Sequence, residues 1–258
     1  MPPFPYQGKV MHVVVCIVHF ICILWKQDRN SAIVIVLTNH LYKVGGNEVT
    51  AVRIGVIQAS SQIDKNSILY ESTKQYAINH DVVNFGCYST EESSYSYIEI
   101  SLEIGFLLVS GAVDFVVTGC SSGQGMMLAC NSIPGVICGY APTPMDAYLF
   151  AQINNGNAVS LPLGENYTYS GSNNCRRTIE KLFSEPFGQG YPKQEAKRKI
   201  KDTELLKDIR GKSQIDFISF IERLDNSLLE KVLKKNDVVE YVITNGSNKK
   251  VTDRIKAI

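Results

Sequence analysis

Residues 117–131 carry the sequence's clearest chemistry. They read Val117-Thr118-Gly119-Cys120-Ser121-Ser122-Gly123-Gln124-Gly125-Met126-Met127-Leu128-Ala129-Cys130-Asn131. An apolar strand runs into a loop of small residues, and the loop into an apolar helix. Ligands of open α/β sheets bind at the carboxyl ends of strands. Gly119, Gly123 and Gly125 let the backbone turn tightly and come close to a ligand. The amides of Ser121 to Gly125 then converge near a helix N-terminus, which suits an anion. Cys120 stands at the lip of this nest, where positive potential favours the thiolate. One loop thus offers a base or nucleophile beside oxyanion donors. The competing description is a tight strand-to-helix turn with an inert buried thiol. No Gly-Lys-Ser/Thr follows, so the loop is not a Walker loop. The first strand leads into Ala59-Ser60-Ser61-Gln62, so it is not the dinucleotide fingerprint either.

The flanking sequence supplies elements to hold that loop. Arg53–Gln58 is a β-rich run. Lys65–Asn79 has helical content with Asp64 as N-cap. Asp81–Phe85 is a second strand. In Ser94–Ser110, Ile98, Leu102, Phe106 and Val109 share one helix face. Gly105 on that face allows close approach to a sheet, and Gly111 stands where a helix C-cap belongs. Val113–Thr118 is almost unbroken apolar, as for a strand buried on both faces. Gly135–Gly139 and Ala158–Leu163 complete five strands. Between them Pro144 can start a helix over Met145–Asn154. Strand and helix in alternation predict an α/β fold with a mainly parallel sheet covered on both sides.

Beyond Gly188 the composition changes. Residues 193–258 hold 16 Lys and Arg against 11 Asp and Glu, whereas the whole chain carries a net charge of +1. Ile215, Ile218, Ile221, Leu224, Leu228 and Val232 recur at helical spacing and predict a packed helix. Lys231, Lys234 and Lys235 read as a solvated face, because opposite charges are interleaved. Val238–Thr244 reads as a short strand ended by a turn at Asn245-Gly246. The near-neutral charge excludes a global basic field for nucleic acid.

At the other end, Val10–Trp25 is nearly all apolar but shorter than a membrane span requires. It is either an anchor or signal, or an extension foreign to the folded domain. The expected division is therefore 1–51 as extension, 52–192 as the α/β domain and 193–258 as a basic, mainly helical region. Seven cysteines without Cys-x-x-Cys read as free thiols in a reducing compartment, hence the cytoplasm. The four histidines are His12, His19, His40 and His80. A histidine-dependent catalytic pair or metal site in the later chain would need His80.

Cys120 through Met126, with Ala129-Cys130-Asn131, resembles the Cys-Gly-Thr-Gly-Ile-Gly-Met…Ala-Ala-Asn motif of a sugar-phosphate isomerase family. That family comprises type B ribose-5-phosphate isomerases and the galactose-6-phosphate isomerase subunits. Gly86-Cys87-Tyr88-Ser89 is similar to its Gly-x-Tyr-Ser after strand two, and Tyr95 falls where Asp-Tyr-Pro is usual. Pro134-Gly135 follows the motif helix as in the family. Asn154-Asn155-Gly156-Asn157, with Leu163-Gly164 beyond, resembles His-Asn-Asp-Ala-Asn-x-x-x-Leu-Gly with one extra residue. Glu185-Pro186-Phe187-Gly188-Gln189-Gly190 resembles the Phe-Glu-Gly-Gly segment before the family's phosphate-binding arginines. The resemblance spans about residues 53–200.

It implies a Rossmann-like three-layer sandwich and metal-free aldose–ketose isomerisation of a sugar phosphate through an enediolate, without cofactor. Cys120 would be the base, and Ser121, Ser122, Gly123, Gln124 and Gly125 the anion loop. Asn154 would contact substrate, with Ser60, Tyr88 and Asn157 completing the site. Arg198, near Lys193 and Lys197, is the nearest basic cluster for the phosphate; Arg176-Arg177 is the second. Family members pair their subunits, which implies a homodimer or homotetramer. Two departures stand out: the family's Asp-His after strand one is Ala59-Ser60, and its ring-opening His falls at Ile153. A non-catalytic sugar-phosphate-binding relative is therefore the alternative.

Overall fold

The computed structural model describes residues 51–258 except Thr168, together with the backbone of Ile23–Asp28, Ser31–Val36, Lys43–Val44 and Asn47–Glu48. The chain divides into two compact units, Met1–Ala51 and Val52–Ile258. In the first, Ile23–Asp28 pairs antiparallel with Ser31–Val36, and Lys43–Val44 with Asn47–Glu48. The anchor-or-signal reading of Val10–Trp25 rests mostly on residues outside those described. Among the described residues no helix is long and apolar enough to cross a membrane.

The second unit is built on five parallel strands. They are β1 (Arg53–Val56), β2 (Asp81–Asn84), β3 (Phe115–Cys120), β4 (Cys138–Tyr140) and β5 (Ala158–Pro162). Their order across the sheet is β2-β1-β3-β5-β4. Every residue of β3 is buried, as the almost unbroken apolar run demands of a central strand. Side chains alternate across it. Phe115 and Val117 join Leu69, Ile179 and Leu182 on one face; Val116 and Cys120 join Phe106, Met126 and Cys130 on the other.

The first face is covered by α1 (Asn66–Tyr76), α4 (Pro144–Leu149, running into a π turn at Phe150–Asn154) and α5 (Ser172–Leu182). The opposite face is covered by α2 (Tyr97–Val109) and α3 (Gln124–Ser132). This is the three-layer sandwich. Thr143 caps α4, with Pro144 at its first position, as the sequence suggests.

Departures from expectation occur both in the C-terminal region, α6 (Ala196–Ser213) to α10 (Lys249–Lys256), and in the sandwich. The periodic stretch 215–232 is two helices, α7 (Phe217–Ile221) and α8 (Asn226–Leu233). Asp225 interrupts it by accepting bonds from the amides of Ser227 and Leu228, an N-cap. Val238–Thr244 is not a strand but lies within α9 (Asn236–Asn245). Its β-branched residues mimic strand composition, yet Val238 and Val242 are buried at i,i+4 spacing, so packing overrides propensity. Asp64 does not cap α1: residues 60–65 form a 3₁₀ turn, and Asp64 binds Lys65. Gly105 makes room not for the sheet but for Ile133 and Phe217, which a Cβ there would meet at 2.7 and 3.2 Å.

Helices α8 and α9 pack on α2. Where they meet, Glu103 is fully buried, and neither carboxyl oxygen finds a hydrogen-bond partner among the described residues. Burial raises its pKa well above the carboxylate range. Lys235 opposes that shift, while Asp237 and Glu91 reinforce it. Above an ordinary carboxylate pKa of about 4.3, the folded state therefore holds a proton that the unfolded state has released. Stability should fall as pH rises toward the folded pKa, by about 1.4 kcal/mol per pH unit from this group. Urea unfolding from pH 5 to 7 should show Glu103→Gln losing that component of the slope. Parallel slopes in parent and variant would mean that Glu103 is ionised in the fold.

Candidate active site

The sheet order fixes where a ligand can sit. From β1 the chain steps to β2 on one side and later to β3 on the other, so the crevice between the carboxyl ends of β1 and β3 is the topological switch point. Ala59-Ser60 follows β1, and Cys120-Ser121 ends β3. A cleft of about 530 Å³ opens there, within the usual size of small-molecule sites.

Cys120 lines the cleft, 6% exposed. The chain then turns through Gly123, whose φ is 73°. A Cβ at Gly123 would lie 2.8 Å from the Leu161 and Pro162 backbone, so only glycine fits. Ser160 Oγ donates to the Gly123 carbonyl at 2.7 Å and pins the turn to β5. Helix α3 starts at Gln124, and its N-cap, Gly123, has no side chain to occupy the first-turn amides. The Gln124 amide alone donates to Ser122 Oγ, at 3.3 Å. Gly125, in the first turn of α3, lines the cleft with Cys120, so the positive end of the helix borders the thiol's cleft. Across the cleft, α2 begins with a closed capping box: Ser96 Oγ accepts from the Ile98 amide and Glu99 from the Ser96 amide.

The structure brings some expected residues together and separates others. Ser60, Ser121, Ser122 and Gly125 line the cleft with Cys120. Ser60 Oγ accepts from the Tyr95 amide at 2.7 Å, and Ser121 Oγ from Gln62 Nε2 at 2.9 Å. Gly123 shapes the turn behind them, while Gln124 is exposed on the helix start. Tyr88 lies outside the cleft, its hydroxyl donating to the Asn84 carbonyl at 2.8 Å. Asn157 precedes β5, at the opposite end of the sheet from Cys120. There it accepts from the Ile137 amide at 2.7 Å and donates to the Gly135 carbonyl at 2.8 Å. Asn154 is exposed at that same end. Arg198 is exposed on α6 and paired with Glu195 and Asp202. Arg176 lines a separate polar pocket beside Lys65 and Glu165.

Other groups at or near the cleft were not among the site residues expected from the sequence. Lys231 of α8 lines it, and its Nζ donates to Glu99 Oε1 at 2.7 Å. Burial pushes the Glu99 carboxyl up, but the bonds from Lys231, Ser96 and the backbone outweigh it and bring the pKa down to about 2. Lys235 is not solvated: its side chain is 1% exposed, bound to Glu91 at 2.9 Å and Asp237 at 3.2 Å. Its ammonium also lies over the rings of Tyr88 and Tyr95. Tyr95 and Tyr97 wall the cleft. Behind Ser60, burial pushes the Cys87 thiol up to about 11, despite its hydrogen bond with Ser60. Cys87 is buried in the core behind the cleft, and its raised pKa does not suit a second base. His80 accepts from the Val52 amide at 3.2 Å, just before β2 and so at the far end of the sheet. Among the described residues no cluster of His, Cys, Asp or Glu is arranged to hold a metal ion.

The family described as ribose/galactose isomerase matches residues 54–201, more than half of the chain. This protein belongs to that family of sugar isomerases. Among solved structures, 4-deoxy-L-threo-5-hexosulose-uronate ketol-isomerase, complexed with a tartrate, is 38% identical. The match covers 80% of this chain and 98% of that one, with a TM-score of 0.75. A ribose-5-phosphate isomerase from Vibrio parahaemolyticus is 32% identical over 81% of this chain and 99% of its own, also with a TM-score of 0.75. The type B ribose 5-phosphate isomerase of Trypanosoma cruzi shares the fold at 21% identity, with a TM-score of 0.53 over 64% of this chain. No curated protein matches the chain.

Proposed function

We propose that this protein interconverts an open-chain aldose and ketose that carry an anionic end, with Cys120 as the proton-transfer base. The thiolate takes the proton from C2 of the aldose, and the electron pair passes into the C1 carbonyl. Negative charge on O1 is held by the amides at the start of α3. A proton shifts from the C2 hydroxyl to O1, and the thiol, after exchange with solvent in the open cleft, delivers a proton to C1, so the step is redox-neutral overall. The observation that carries this reading is the placement of one thiol beside an uncapped helix start at the sheet's switch point.

A sugar phosphate is the substrate expected from the resemblance. The two relatives above 30% identity are named for a uronate and for ribose 5-phosphate; both substrates are sugars with an anionic group. Asn154 and Arg198 lie too far round the fold to serve the cleft of their own subunit, so their proposed roles require a second copy. We assign them to a homodimer or homotetramer, in which each subunit completes the other's site. The described cysteines are free, in keeping with a cytoplasmic protein.

The alternative is a sugar-phosphate-binding relative without activity, favoured by the absence of histidine from the described cleft. A panel of aldose phosphates and aldose-type uronates, followed by NMR, separates the two. Conversion of one member to its ketose is the expected result. Saturable binding across the panel with no conversion would establish the alternative.

A further inference from the structure

We infer that Lys231 is the anchor for the substrate's anionic end, and that its ion pair with Glu99 tunes the cleft to a singly charged carboxylate over a doubly charged phosphate. This rests on the proposed reading of the cleft but not on turnover. Lys231 comes from α8, beyond the segment 54–201 that defines the family. It reaches a cleft formed by the ends of β1 and β3 because α8 packs on α2, whose first turn forms the cleft's far wall.

Among the described residues lining the cleft, Lys231 is the single basic one. The cleft therefore offers no arginine fork, the usual bidentate partner of a phosphate. Glu99 takes one of the three ammonium donors and sets a carboxylate beside the ammonium. What remains is two N–H donors and, opposite them, the partial positive charge of the α3 start. One carboxylate matches that supply. A phosphate dianion would stand beside the Glu99 carboxylate with half its charge unmet. Glu99 itself cannot swing away, because the capping box fixes it to Ser96. The Lys231 side chain is 42% exposed, so its head can move toward a ligand.

Binding of open-chain, non-reacting six-carbon probes to the full chain tests this. Sorbitol is neutral, gluconate carries one carboxylate, and sorbitol 6-phosphate is a dianion at pH 7.5. By calorimetry, gluconate should bind about tenfold more tightly than sorbitol, in keeping with a charged hydrogen bond, and more tightly than sorbitol 6-phosphate. Lys231→Met should reduce gluconate to the level of sorbitol and leave sorbitol unchanged, whereas Lys231→Arg retains the preference for gluconate. Glu99→Gln keeps a capping-box side chain and should move the preference toward sorbitol 6-phosphate. Thermal unfolding of each variant shows that it is folded. The inference is overturned if gluconate binds no better than sorbitol, if sorbitol 6-phosphate is preferred by the parent, or if Lys231→Met leaves gluconate binding intact. A chain that binds gluconate through Lys231 yet converts no sugar defeats the isomerase reading alone. One that isomerises while indifferent to Lys231 defeats this inference alone.

Discussion

Cys120→Ala should give a folded protein whose turnover is lower by about 10²- to 10⁴-fold, the usual contribution of a positioned base. The thiol is small and lies at the edge of the core, so its removal leaves a minor void rather than a collapsed sheet. Cys120→Ser should be almost as inactive. The hydroxyl keeps the volume and hydrogen-bonding capacity, but an alcohol does not ionise near neutral pH. Binding of a substrate-length open-chain anion should survive in both variants, since Lys231 and the α3 start are untouched. The loss should therefore fall on kcat rather than KM. Near-parental kcat in the alanine variant would remove Cys120 from the mechanism and leave the loop as an anion-binding turn.

The second large effect is on stability. Lys235→Met should destabilise the fold by about 3 kcal/mol, the typical result of removing one partner from a buried pair. The methionine fills the apolar part of the site, but Glu91 is left with its charge uncompensated; one of its oxygens is already buried without a partner. In a unit of this size, that corresponds to a fall in Tm of roughly 6–12 °C. Replacing Glu91 with Gln in the same chain should recover part of the loss. The pH dependence has a defined sign. Burial lowers the Lys235 pKa, but the hydrogen bond to Glu91 and the charges of Asp237 and Glu91 outweigh it, so the folded value is raised. Its contribution is complete below the unfolded value of about 10.4 and fades only as pH climbs through the folded one. A variant as stable as the parent at pH 7 would show the pair to be neutral in net effect. Because Lys235 ties the Glu91 turn to α9, loosening the Tyr95 wall should also weaken substrate binding.

Much of this architecture is legible in the sequence, for a physical reason. The central strands β3 and β5 are apolar runs because a strand buried on both faces admits little else, whereas β4 is only Cys138–Tyr140 and overlaps the expected Gly135–Gly139 at two residues. Cys120 stands out because only a close-approach loop needs Gly119, Gly123 and Gly125 around it. Asn157 could also have been placed: a residue just before a parallel strand lies at the sheet's amino edge, away from a cysteine that ends its neighbour. The C-terminal helices are less legible. Val238–Thr244 has strand composition, and only the packing of Val238 and Val242 against α2 decides for helix. Lys231, Lys234 and Lys235 look alike in sequence. One turns into the cleft and another into the core, because Glu99 and Glu91 wait there, more than 130 residues earlier. Pairing at such separation leaves no local signature.

The central claim is that a proton leaves the sugar carbon for Cys120 and returns from it. The direct measurement is isomerisation in D₂O with the converted member of the sugar panel, observed by NMR. The account predicts deuterium at C1 of the ketose and at C2 of recovered aldose, with incorporation abolished in Cys120→Ala. Conversion without any solvent deuterium in the product, or incorporation that persists in the alanine variant, would contradict it.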